Sequence, residues 1–117
     1  MKKIILLLLL CACTTNTYST FNSTSSKNEI FNASTRTVQE MGFAVLTSNK
    51  SDGFISAGQS VVLGEGSQTI INIQVHNNKN IEVSIIPPPL TLGNIASMMN
   101  EFENKMRNKV SGFKIIK

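Results

Sequence analysis

Between Gln68 and Ile86 the chain reads QTIINIQVHNNKNIEVSII, and no other stretch restricts the fold so strongly. Ile71, Ile73 and Val75 alternate with Asn72, Gln74 and His76. After Asn77-Asn78-Lys79-Asn80, the residues Ile81, Val83 and Ile85 alternate with Glu82 and Ser84. Successive side chains of a strand point to opposite faces, so this period of two describes two strands with one apolar and one polar face each. The short Asn-rich turn between them makes the pair antiparallel.

The same alternation of strand formers and turn formers extends upstream. Phe43 to Ser48, FAVLTS, reads as a strand, and Asn49-Lys50-Ser51-Asp52-Gly53 is dense in turn residues. Phe54 to Leu63 follows as a strand with Gly58 as its bulge, and Gly64-Glu65-Gly66-Ser67 turns the chain again. Every connection is short, which predicts a meander of four strands. Pro87-Pro88-Pro89 ends it, because proline has no amide to donate to a ladder.

Helical spacing brackets the strands. From Asn28 to Met41, with Asn28 or Ser26 as cap, Phe31, Thr35, Val38 and Met41 recur on one face. Gly42 stands where a left-handed C-terminal cap is wanted, and Phe43 can fold back onto the last turn. From Asn94 to Val110, the residues Ile95, Met98, Met99, Phe102, Met106 and Val110 form an apolar stripe. Glu101 with Lys105 and Glu103 with Arg107 are spaced as pairs on the wet side. The predicted fold is α+β: a helix, a four-stranded antiparallel meander, and a helix packed on one face of the sheet. A chain of 117 residues has room for one such domain, over residues 28–117.

The start of the chain is different in kind. Lys2 and Lys3 precede seven apolar residues, Ile4 to Leu10, a run far short of the roughly 20 that cross a bilayer. It fits a cleavable signal peptide over residues 1–12. Leu10-Cys11-Ala12-Cys13 resembles the box of bacterial lipoprotein signals, in which a small residue precedes the modified cysteine. That resemblance makes Cys13 the lipid acceptor. Taking Cys11 instead would put the bulky Leu10 at the small-residue position. The resemblance implies a diacylglyceryl thioether on Cys13, removal of residues 1–12 and acylation of the new amine, since several chains anchor stably where one does not. Thr14, not an acidic residue, follows Cys13, and the implied location is the outer membrane facing the periplasm. The competing reading is a secreted protein with a disulfide between Cys11 and Cys13, or a reactive thiol. From Thr14 to Lys27 the sequence TTNTYSTFNSTSSK holds only Tyr18 and Phe21 as large apolar residues, which predicts a flexible tether over residues 13–27.

Phe31 to Gly58 resembles a theme of small bacterial envelope lipoproteins. Its elements are a helix closing on Met41-Gly42-Phe43, a strand, the Lys50-Ser51-Asp52-Gly53 turn, and then Ile55 and Ala57. The likeness is to the helix-grip domains of the assembly lipoprotein BamC. It implies that fold and no catalytic residues. Those relatives carry a longer aromatic segment after the final helix, whereas GFKIIK here is short and basic.

Chemistry-bearing residues are few. His76 is the only histidine, and with no free cysteine left after lipidation a metal site is not expected. Its predicted place is the solvent side of a strand end. No nucleophile elbow occurs, and Gly64-Glu65-Gly66 lacks the helix that a phosphate loop opens. The acidic residues are scattered, with no pair spaced for general acid and base work. No cofactor and no catalytic residue is expected. The formal charge of +4 falls to about +2 once Lys2 and Lys3 leave with the signal, which gives no basis for a nucleic-acid partner. Lys105, Arg107, Lys109, Lys114 and Lys117 gather at the C-terminus, either to meet anionic lipid or an acidic partner, or as favourable charge at a helix end and a solvated tail.

Two functions follow as expectations. One is a non-enzymatic accessory or interaction module, anchored to the membrane by lipid and contacting an envelope protein. The alternative is a binding protein for a small apolar ligand or lipid in the cleft between sheet and helices. An enzyme would need a constellation that the sequence does not display.

Overall fold

A computed structural model describes residues 17–60, 68–87 and 95–116. The predicted signal, Cys11, Cys13, the predicted 64–67 turn and two prolines of the triplet, Pro88 and Pro89, lie outside these described residues. The chain order is β1 (Thr17–Asn22), α1 (Lys27–Glu40), β2 (Ala44–Asn49), β3 (Phe54–Ser60), β4 (Gln68–Val75), β5 (Asn80–Ile86), α2 (Ile95–Arg107) and β6 (Lys114–Ile116).

The six strands form one sheet in the order β2-β3-β4-β5-β1-β6, with every neighbouring pair antiparallel. The predicted four-stranded meander is therefore corrected. The class is α+β with two helices, but the sheet has two further strands. One comes from the segment expected to be a tether and the other from the basic tail. Thr17 to Asn22 pairs along its whole length with Ile85 to Asn80 of β5. On its far side, Thr20 to Asn22 pairs with Ile116 to Lys114 of β6. Phe21 explains why composition misleads here. It is fully buried, and its ring stacks on Phe113 at 4.8 Å and approaches Phe102 at 6.1 Å. One large aromatic in the core supplies stabilisation that a polar segment otherwise lacks.

The Ser-rich link after β1 is also ordered. The buried Ser23 donates its hydroxyl to the Ser111 carbonyl at 2.7 Å, and the Thr24 amide donates to the same oxygen at 2.9 Å. Ser25 Oγ accepts the Ser111 amide at 2.9 Å. Ser and Thr side chains hydrogen-bond to nearby backbone readily, and here they clasp the turn between α2 and β6.

Helix α1 opens with a capping box: Ser26 Oγ accepts from the Glu29 amide at 3.2 Å, and Glu29 Oε1 accepts from the Ser26 amide at 3.1 Å. It closes as the sequence predicts. Gly42 has φ +92°, its amide donates to Gln39 O, and the Phe43 amide donates back to Val38 O at 2.9 Å. These two bonds are a Schellman motif, and they satisfy carbonyls that the helix end leaves open. The predicted bulge at Gly58 is not there: Gly58 pairs in register with Ala44 and Ile70. The irregularity lies instead in edge strand β2, between Val45 and Thr47, where it leaves Leu46 exposed.

Both helices lie on the face formed by Ile55, Ala57, Ile71, Ile73, Val75, Ile81, Val83 and Ile85, all buried. Helix α2 contributes Met99, Phe102 and Met106, with Val110 after its end, while Ile95 and Met98 are partly buried against this core. The helices meet at Met106, whose sulfur accepts from the Thr37 hydroxyl at 3.3 Å. Buried Ser34 lies against the same sulfur.

Candidate functional site

Alternation gives the sheet a second face, and in the register of the strands that face carries Tyr18, Ser84, Asn72 and Ser56 in one row across β1, β5, β4 and β3. The next row carries Thr20, Glu82, Gln74 and Phe54. Both helices pack on the opposite side, so these rows meet solvent. Tyr18 and Phe54 rim a depression of about 140 Å³ whose floor holds Asn72, Gln74, Glu82 and Ser84. Amides, a hydroxyl and one carboxylate can exchange hydrogen bonds with a bound surface, and the two rings offer apolar area with a fixed shape. None of the side chains lining it is paired as nucleophile and base.

His76 sits just beyond β4 at the opposite end of the sheet from Thr17. Its Nε2 lies 3.4 Å from Glu82 Oε1, too far for a good hydrogen bond, and that nitrogen is buried without a partner. The side chain as a whole is 42% exposed. The ring is thus wet on one edge only, where the sequence predicts a solvent-facing side chain. Around it, Lys27 Nζ donates to Asn77 Oδ1 at 2.8 Å and Gln74 Nε2 donates to the Asp52 carbonyl at 2.6 Å. Among the described residues no three His, Cys, Asp or Glu side chains gather to hold a metal.

The basic C-terminal cluster divides. Lys109 Nζ donates to Glu40 Oε1 at 2.8 Å, Lys105 approaches the same oxygen at 4.0 Å, and Arg107 pairs with Glu103. The predicted Glu101–Lys105 pair is replaced by this contact with α1. The hydrogen bond from Lys109, aided by the charges of Lys109, Lys105 and Arg36, holds the Glu40 carboxyl below its ordinary 4.5. Two of the five cations, Lys105 and Lys109, therefore join α2 and the turn after it to α1, and Arg107 pairs within its own helix. Lys114 lies opposite Asn22 on β6, and Lys117 is outside the described residues.

Exposed apolar side chains cluster around β1. Tyr18 is 60% exposed, Ile86 of β5 36% and Ile116 of β6 38%. Register places all three on the solvent face, since Tyr18 pairs with Ser84 and Ile116 with Thr20. Sequence reasoning missed Tyr18 and Phe54 as rim residues. The signal available was propensity: Thr17, Tyr18, Thr20 and Phe21 are all strand formers, set among Ser and Asn. No helix among the described residues is long and apolar enough to cross a membrane. No protein-family model matches this chain, and no curated protein matches it.

Proposed function

We propose that this protein is a bacterial envelope lipoprotein, anchored through acyl chains on Cys13, whose α+β domain serves as a non-enzymatic accessory or interaction module. Its expected place is the outer membrane, facing the periplasm. The observation that carries this reading is the run of Lys2-Lys3, seven apolar residues and Leu10-Cys11-Ala12-Cys13. The solvent-facing rows of the sheet support the second half. They offer hydrogen-bonding groups and two aromatic rims but no paired nucleophile and base. The role is of the kind that the BamC-like theme implies. The alternative, a small apolar ligand between sheet and helices, would need a space now filled by Phe21, Phe102, Met106 and the buried isoleucines to open.

Metabolic labelling with a clickable fatty acid tests the anchor. The thiolate is the nucleophile that forms the thioether, and a serine hydroxyl is far weaker. Label is expected to be lost in Cys13→Ser and kept in Cys11→Ser, and the reverse pattern overturns the assignment. A photo-crosslinker at Asn72, on the solvent face, tests the module. A discrete crosslinked envelope protein, absent when the crosslinker is at Lys50, is expected. Identical products from both positions speak against a specific surface.

A further inference from the structure

With Cys13 as the anchor, only residues 14–16 separate the acylated residue from β1. A chain spans at most about 3.6 Å per residue, so Thr17 lies within about 14 Å of the acylated residue and Tyr18 within about 18 Å. A long tether would let the domain tumble freely above the membrane, and one this short does not. The sheet's end at Thr17 then stays within about 14 Å of the acylated residue, and what that end exposes becomes decisive.

It exposes apolar area on the solvent face. Tyr18 is the most exposed large apolar side chain described, and Ile86 lies on the adjoining strand two residues beyond Ser84, Tyr18's partner. Ile70, half-buried, pairs with Ile86 on the next strand. Among the described residues, the charged side chains of this face's β1, β5 and β6 rows, Glu82 and Lys114, lie further from that end, with Glu82 opposite Thr20 and Lys114 opposite Asn22. A tyrosine has an apolar ring and a polar tip, which suits it to the boundary between headgroups and acyl chains.

We propose that Tyr18, Ile86 and Ile70 form a membrane-contact patch, seated in the headgroup layer of a phospholipid bilayer. The inference rests on the lipidation of Cys13 proposed above and adds the orientation of the domain: the Thr17 end faces the membrane, and His76 with the 50–53 turn faces away.

Tyr18 is the only tyrosine and the chain has no tryptophan, so intrinsic emission reports on this one side chain. The full lipidated protein is placed in phosphatidylcholine vesicles, with or without bromine atoms near the head of the acyl chains. Mass analysis of the N-terminal peptide first establishes the acyl chains on Cys13; if they are missing, the reading beneath the proposal fails, independently of the emission. With the chains present, brominated lipid is expected to remove roughly half or more of the tyrosine emission, as suits a ring at the interface. Ile86→Asp, a change at a partly exposed position whose folding is checked by circular dichroism, should restore most of it by lifting the patch away. Equal emission in both kinds of vesicle from lipidated protein overturns the proposal, as does undiminished quenching in folded Ile86→Asp.

Discussion

Replacing Phe21 with alanine separates a domain that begins at Thr17 from one that begins at residue 28 and trails a loose tether. If residues 13–27 were a tether, the change would remove nothing from the core. In the structure it removes a fully buried ring from β1, at the register position between Ile81 of β5 and Ile115 of β6. Truncating a core phenylalanine costs about 3–5 kcal/mol. The lost stacking on Phe113, at 4.8 Å and 22°, accounts for roughly 0.5–1.5 kcal/mol of that. Phe102 and Phe113, whose ring centroids are 6.3 Å apart, would be left facing a cavity. A domain of this size has a total stability near the lower end of about 5–15 kcal/mol, so the variant should be largely unfolded under mild denaturant. Each kcal/mol moves the midpoint of a small domain by about 4–8 °C, which puts the expected fall at no less than about 12 °C. Tyr18→Ala on the same strand is the control. Its ring is 60% exposed, and its effect should stay within about 0.5 kcal/mol. Thermal melts followed by far-UV circular dichroism compare the two. Midpoints for Phe21→Ala and Tyr18→Ala that agree within a degree or two would refute the placement of β1 in the sheet.

Gly53→Ala should be the harsher of two glycine substitutions. Gly53 has φ +77°, and an added Cβ would lie 2.2 Å from the Val75 carbonyl oxygen, so the backbone must shift. At Gly42 the obstacle is the mobile amide end of Gln59 at 2.9 Å. Left-handed strain alone costs about 1–2 kcal/mol, and urea midpoints should fall clearly further for Gly53. Ser23→Ala removes the hydroxyl that holds Ser111 and strands the Ser25 amide, at a cost of about 1–2 kcal/mol by the same melts. No loss would mean that the clasp is not closed in solution. Carbon-detected NMR titration should place the Glu40 midpoint below 4.5 and move it upward in Lys109→Met. Because the folded value is the lower one, this pair stabilises the fold above the ordinary glutamate range, and the contribution is lost as pH falls through the folded value. A midpoint indifferent to Lys109 would mean that the ion pair does not form.

What could be read from the sequence was whatever is written as a period. β4 and β5 announce themselves by alternation, α2 by its stripe, and the end of α1 by Gly42 in front of Phe43. β1 has the correct alternation of faces, but Thr17 and Ser19 occupy two of its three inward positions, so only Phe21 marks the buried side. β6 has no inward signature, since Lys114, Ile115 and Ile116 are all exposed. Both strands are defined by partners far along the chain, which no local window includes. Gly58 illustrates the opposite error. A glycine in a strand suggested a bulge, yet the neighbouring strand carries it at Leu46. The solvent-face rim was hidden for the same reason as β1, because Tyr18 and Phe54 flank one depression only once β1 joins β5.

The position of β1 between β5 and β6 also governs the order in which the protein can fold. β1 has no neighbour until β5 emerges, and its second neighbour, β6, emerges later still. The bond from Ser23 to Ser111 closes a separation of 88 residues. Loop closure on that scale precedes the contacts that reward it, so the β2–β5 hairpins should form quickly and the seam of β1 with β5 and β6 slowly. Until then the ring of Phe21 and the free edge of β5 stay uncovered, a state open to chaperone capture and to pairing with the wrong strand. A chain truncated before Phe113 would lack the residue that seals the seam. Such a chain should behave as a trapped intermediate, not as a shorter version of the native domain.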